Sequence, residues 1–248
     1  MPDVFSVSQL NAYLGCPRKY RFRYLDRREP ESKSAAMAFG SAMHGAIEWY
    51  WRERIQGRVP SLADAQRMFR VEWTAQKAGG DLAFDEKNPD DMQATGEQLI
   101  ALFIERFGAD VPSDVEVKFE VALHDPRSGV VHPMPLIGYM DFVSPGVVGE
   151  LKTASKRTDP SAWSLQLSAY SFAMREQTGR GHKLKVIELI TTKTPKLEVH
   201  EVEKTEAEEA WFLEVAVEAL DGIERGAFHP IPGWMCPRCE FRRACRGT

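Results

Sequence analysis

The sequence predicts an α/β protein with a mixed central sheet flanked by helices. Three observations predict it. The first 107 residues place apolar side chains at helical spacing, broken by polar, Gly- and Pro-bearing stretches. The middle holds two apolar runs parted only by Ser144-Pro145-Gly146, which is a hairpin signal. Beyond them, helix-like and strand-like segments alternate up to a cysteine-bearing C-terminal stretch.

Composition bounds the reading further. A chain of 248 residues can bury a substantial core as one unit, and 43% hydrophobic with 27% charged residues is ordinary for a soluble globular protein. No apolar run approaches membrane-spanning length and the start lacks an apolar leader segment, so a cytoplasmic location is expected. The net charge of −4 does not advertise nucleic-acid binding, although local patches matter more than the sum. One domain, 1–248, is expected. Its mainly helical region 1–110 carries Cys16 and His44, its sheet core spans 111–204, and a helix and cysteine segment spans 205–248.

The elements follow in order. Ser6-x-x-Gln9 opens a helical pattern over 6–25, with Leu10, Tyr13 and Leu14 at helical spacing and an interruption at Gly15-Cys16-Pro17. Arg18 to Tyr24 then interleaves basic and aromatic residues, which suits aromatics in a core and part of the basic face near a polyanion. Residues 28–37 read as a loop and 38–51 as a helix, where Gly40, Ser41, Ala42, Gly45 and Ala46 allow close packing around His44. A histidine there is either a satisfied core or surface residue or a metal ligand. Helices are expected over 61–78 and 91–107, separated by a 79–89 loop. A strand over 115–123 carries Glu116 and Glu120, which read as exposed, with a carboxylate supporting a site from behind as the alternative, and a turn at 125–129 leads to the hairpin at 136–153. A polar loop with Lys156 and Arg157 precedes a helix from Asp159 to about Thr178, on which Gln166 and Tyr170, four apart, share a face. Strands at 185–192 and 196–203 and a helix over 205–225 complete the sheet and its cover. Residues 228–234 run without regular structure into the cysteines.

The hairpin is where chemistry concentrates. Alternation on a strand points Glu150 and Lys152 the same way and Leu151 into a core. Pairing that sets Asp141 beside Glu150 brings two carboxylates and one amine to one spot. Two facing carboxylates repel unless a cation sits between them, and a hard divalent ion held by oxygens answers that. An amphipathic hairpin with a charged solvent face is the competing reading.

Four cysteines are present: Cys16, then Cys236, Cys239 and Cys245 in a Cys-x2-Cys-x5-Cys pattern. A cytosolic setting disfavours disulfides, so a metal site is the better reading, and four thiolates suit zinc or an iron–sulfur cluster. Common zinc modules pair Cys-x2-Cys with a second close pair, which this spacing lacks.

The ordered set of His44 after Gly40-Ser41, Gly138-x-x-Asp141, Glu150-x-Lys152-Thr153, Gln166-x-x-x-Tyr170 and the four cysteines resembles the RecB-type branch of the PD-(D/E)xK nucleases. The likeness covers nearly the whole chain and extends to the iron–sulfur members, the AddB-type helicase–nuclease domains and CRISPR-associated nucleases. It implies a restriction-endonuclease-like core. It implies His44, Asp141, Glu150 and the Leu151 main-chain carbonyl as ligands of Mg²⁺ or Mn²⁺. Lys152 would orient or activate the attacking water, with Gln166 and Tyr170 supporting the site and contacting the DNA backbone. Cys16, Cys236, Cys239 and Cys245 would hold a [4Fe–4S] cluster, with zinc as the alternative. Met140 stands where the family name has proline.

The function this implies is metal-dependent hydrolysis of DNA, as an exonuclease on ends or single strands. Helicase, recombination or CRISPR-adaptation proteins are the implied partners. A module that keeps the fold but only binds nucleic acid for a helicase or integrase is the alternative. The chain contains no Gly-x4-Gly-Lys-Ser/Thr phosphate loop, so any unwinding comes from another protein.

Overall fold

The computed structural model describes residues 4–84 and 88–247. Residues 85–87 of the expected 79–89 loop, and residues 1–3 and 248 of the expected 1–248 unit, lie outside the described residues.

The N-terminal half is helical for the reasons its sequence carries. After a two-residue strand β1 (Phe5–Ser6), the Ser6 hydroxyl accepts the Gln9 N–H and caps α1 (Val7–Gly15). Cys16 is extended, and Pro17 opens α2 (Pro17–Tyr20), which runs into one π-helical turn, Arg21–Leu25. The expected 6–25 helix is thus three pieces, because Pro17 has no N–H to continue the α1 ladder. The expected 28–37 loop ends early: β2 (Lys33–Ser34) pairs with β3 (Leu82–Ala83). Helix α3 (Ala35–Ile55) then begins three residues before the expected start, on Ala35, Ala36 and Met37, all strong helix formers. Helices α4 (Leu62–Ala78), with a Ser61/Asp64 capping box, and α5 (Pro89–Phe107) pack on α3. Phe69, Trp73 and Phe103 are fully buried there, each burial worth about 1.5–3 kcal/mol.

The sheet follows: β4 (Asp114–Val121), β5 (Leu136–Ser144), β6 (Val147–Ala154), α6 (Ser164–Thr178) after a 3₁₀ turn at Pro160–Trp163, β7 (Lys183–Ile190), β8 (Lys196–Val202) and α7 (Glu206–Glu224). A short turn at Cys236–Arg238 and α8 (Arg242–Arg246) end the chain. The order β1-β5-β6-β7-β8, with β4 on the outer side of β5, is a mixed sheet, as the pattern predicts. The pairs β4–β5, β5–β6 and β7–β8 are antiparallel; β6–β7 and β1–β5 are parallel. Strand β1 was missing from the expected order, since two residues carry no period.

Two cores cover the sheet. One packs α1, α6 and α7 on Phe119, Met140, Val148 and Val186; the other packs α3, α4 and α5 on Val115, Phe142, Leu151 and Ile187. Residues two apart on a strand share a face. Yet Val115 belongs to the second core while Val117 packs on the first, and Met140 and Phe142 divide the same way. Strands β4 and β5 therefore change sides together, at Glu116 and Asp141. Among the described residues, no helix is long and apolar enough to cross a membrane.

Candidate active site

Strands β5 and β6 pair only beside their turn, from Ser144↔Val147 to Phe142↔Gly149. The next opposed residues are Asp141 and Glu150, and there the ladder opens. The Asp141 side chain fills the break: its Oδ2 accepts the Leu151 N–H at 2.6 Å. Farther along β5, the same edge is taken by β1 at Leu136 and Ile137. A gap remains between the strands. A strand residue's N–H and C=O point to one side, so the Leu151 carbonyl also faces this gap.

The expected residues gather here. His44, on α3, lies with Nδ1 3.4 Å from Asp141 Oδ1. Close approach of α3 to β6 depends on Gly40, where a Cβ would sit 2.8 Å from the Thr153 hydroxyl. On the α6 face, Glu150 is 4% exposed, and its Oε1 lies 2.6 Å from Lys152 Nζ. Lys152 donates to Gln166 Oε1 (2.7 Å), and Gln166 donates to the Tyr170 hydroxyl (2.8 Å). The one phenolic proton of Tyr170 lies between Glu150 Oε2 (2.7 Å) and the Tyr139 carbonyl (2.6 Å). Glu150, Lys152, Gln166 and Tyr170 thus close a ring of contacts. Tyr170 is buried and its hydroxyl is engaged within this ring, so it underlies the site; the expectation that it touches a DNA backbone does not fit this placement.

Glu116 departs from the sequence reading. It was expected to be exposed; Glu120 is, in an ion pair with Lys118, but Glu116 is half-buried and faces Asp141 across β4–β5. Its φ of 52° is left-handed, rare for a side chain of this kind, and it makes the crossover that turns the carboxylate inward. No glycine marks that kink in the sequence, so no signal announced it.

The electrostatics are in conflict. Burial, then the charges of Asp141 and Glu48, push the Glu116 carboxyl up to about 7. Burial and Asp141 also raise Glu150, against the pull of Lys152 and Tyr170. Burial, then the Glu150 charge, holds Tyr170 well above the ordinary phenol range. Burial disfavours a charged His44, but the bond to Asp141 and the charges of Asp141 and Glu150 outweigh it and raise its pKa. Such a crowd of acids is relieved by a cation. Beyond Lys152, a cleft of about 600 Å³ opens between Thr153–Ser155, Phe39, Lys193 and Arg238.

Cys16 and, over two hundred residues later, Cys236, Cys239 and Cys245 line one smaller cavity of about 170 Å³, walled by Phe22, Ile231 and Phe241. Backbone and charge hold its two halves: Arg18 N–H donates to the His229 carbonyl, Glu31 N–H to that of Glu240, and Arg23 pairs with the Glu240 carboxylate. Among the described residues, the one trio of His, Cys, Asp and Glu ligand atoms within 4.8 Å of each other is Glu188, Glu198 and His200. Neither three of the sulfurs nor the set His44, Asp141 and Glu150 comes that close.

A family model described as the PD-(D/E)XK nuclease superfamily matches residues 4–246. The Gene 69 protein of Mycobacterium phage L5 is 38% identical over 68 residues, 27% of this chain and 23% of that protein. The match thus spans about a quarter of this curated relative. A candidate exonuclease from Eubacterium rectale superposes with a TM-score of 0.63 at 19% identity, over 98% of this chain and 88% of that one. That is a likeness of fold.

Proposed function

Since the chain belongs to the PD-(D/E)XK nuclease superfamily, we propose that it is a divalent-metal-dependent deoxyribonuclease. It acts as an exonuclease on DNA ends or single strands, as one unit of the RecB-type, four-cysteine branch. The observation that carries this is the open gap between β5 and β6, where His44, Asp141, Glu150 and Lys152 converge over the Gln166–Tyr170 support.

His44, Asp141, Glu150 and the Leu151 carbonyl would hold Mg²⁺ or Mn²⁺, with Glu116 adding a carboxylate; the donor set of oxygens and one imidazole fits both ions and leans toward Mn²⁺. When bound, the ion acidifies a water and offsets the charge that grows on the phosphoryl oxygens. The protein's own groups do the rest. Lys152, fixed by Glu150 and Gln166, keeps its third ammonium hydrogen to orient the attacking water, or relays that water's proton. Tyr170 keeps Glu150 from turning away. Lys193 and Arg238 on the cleft wall suit a phosphate backbone.

Cys16, Cys236, Cys239 and Cys245 would hold a [4Fe–4S] cluster. What supports it over zinc is four thiols lining one cavity, with a Cys-x2-Cys-x5-Cys spacing that lacks the second close pair of common zinc modules. Anaerobically purified protein should be brown and contain iron and sulfide; colourless protein with stoichiometric zinc overturns this assignment.

The test of function uses end-labelled linear and circular DNA, single- and double-stranded, with Mg²⁺ or Mn²⁺. Cleavage of linear but not circular substrates is expected. Equal cutting of circles refutes the exonuclease reading, no cutting with either metal refutes the nuclease, and a fully active Glu150→Ala variant refutes the site.

A further inference from the structure

One buried carboxylate has no part in the gap. Glu188, on β7, is fully buried, and it is the cross-strand neighbour of Lys152 on β6 and of Glu198 on β8. The three side chains therefore project to the α6 face in one row. An unpaired carboxylate at such depth costs several kcal/mol, so its partners indicate what it is for. Glu188 Oε1 accepts the Thr158 N–H at 2.9 Å, and Oε2 lies 3.2 Å from His200 Nε2. His200 is itself buried against the Trp163 ring. Glu198 reaches Arg157 at 2.8 Å.

The Thr158 and Arg157 contacts fall on one short connection, and His200 packs on Trp163 at its end. Arg157 and Thr158 lie between the end of β6, which carries Glu150 and Lys152, and the 3₁₀ turn Pro160–Trp163 that starts α6, which carries Gln166 and Tyr170. The ring of contacts under the site spans both elements. Its closure at Lys152–Gln166 depends on where α6 begins, and the sheet sets that point through Glu188.

We propose that Glu188 is a positioning residue for phosphodiester hydrolysis. Its hold on Thr158 fixes the 155–163 connection, and so the distance between Lys152 and Gln166. The proposal rests on the catalytic reading of Lys152 above. Glu188, Glu198 and His200 could instead be read as a cation site, but protein partners already engage them: Thr158 N–H and His200 on Glu188, Arg157 on Glu198.

The test compares Glu188→Gln, which keeps an oxygen for the Thr158 N–H, with Glu188→Leu, which removes it at similar volume. In Glu188→Leu, kcat should fall about tenfold with KM within about twofold, the scale of a small misplacement of reacting groups. Amide exchange over 155–163 should quicken while the rest of the sheet stays protected, and Glu188→Gln should restore most of kcat. A Glu188→Leu variant with wild-type kcat and wild-type exchange overturns the proposal. So do Gln and Leu variants equally impaired with melting temperatures falling in step, which marks a structural role. A Mn²⁺ or Zn²⁺ equivalent lost in His200→Ala but kept in Lys152→Ala also overturns it, in favour of a cation site. Failure of the nuclease reading looks different: the wild type itself is inactive.

Discussion

The gap between β5 and β6 and the cysteine-lined cavity are built on opposite terms. In the gap, a six-stranded sheet and two long helices hold the side chains, and hold them against their electrostatic preference: Glu116 is kinked inward with its pKa near 7, and Glu150 is buried beside Asp141. Around the cysteines, the local frame is a three-residue turn, the five-residue α8, the short α2 and a π-helical turn. There is little frame for the thiols to rely on. In the first region the fold imposes geometry on the residues; in the second, on the cluster proposal, the bound group would impose geometry on the chain. Variants in the first should cost activity and spare stability, and variants in the second should do the reverse.

The largest expected effect is in the gap. Lys152→Ala or Glu150→Gln should lower cleavage by about 10²–10⁴-fold, the scale of a positioned proton-transfer group. Glu150→Gln removes a charge from a crowded site, so its melting temperature should match or exceed that of the wild type; a marked drop would break the contrast. Next come the thiols. Cys16→Ser or Cys245→Ser should bleach the protein and lower its melting temperature by roughly 10–20 °C, taking about 4–5 kcal/mol for a crosslink over so long a loop and about 2–4 °C for each kcal/mol. Cleavage measured well below that temperature should persist.

A smaller effect carries a pH signature. The Glu116 carboxyl rises from an ordinary value of 4.5 to about 7 on folding. The folded state thus binds its proton more tightly, and stability is lost as pH climbs from 4.5 through about 7. Glu116→Gln should raise the melting temperature of metal-free protein by about 2–4 °C at pH 8 and leave it unchanged at pH 4. The smallest effect belongs to neither region. Lys204 and the Thr205 N–H pull the Glu208 carboxyl down to about 2 at the start of α7. That support is present above pH 4.5 and fades as pH falls toward 2. Glu208→Gln should cost about 1–2 °C at neutral pH, since the group is solvent-screened, and nothing near pH 2.

The contrast also explains what could be read from the sequence. The hairpin was legible because alternation and Ser144-Pro145-Gly146 encode it locally, and the same alternation put Glu150 and Lys152 on one face. His44, Gln166 and Tyr170 were open readings on spacing alone, and the family resemblance singled them out. The inward turn of Glu116 was not legible: its left-handed backbone is enforced by two cores competing for Val115 and Val117, a tertiary demand that no residue type advertises. Strand β1 owes its existence to the space that β5 and β6 leave on parting. Glu188 resembled any strand glutamate until β8 and the 155–159 connection closed around it.

The side change at Glu116 and Asp141 has a thermal consequence. It places the gap on the seam between two independently packed layers, with His44 riding on one and Tyr170 on the other. Layers can slip on each other at less cost than either needs to melt. Warming should therefore disable cleavage reversibly several degrees before the chain unfolds, so the working range of the protein is set by the seam and not by its cores.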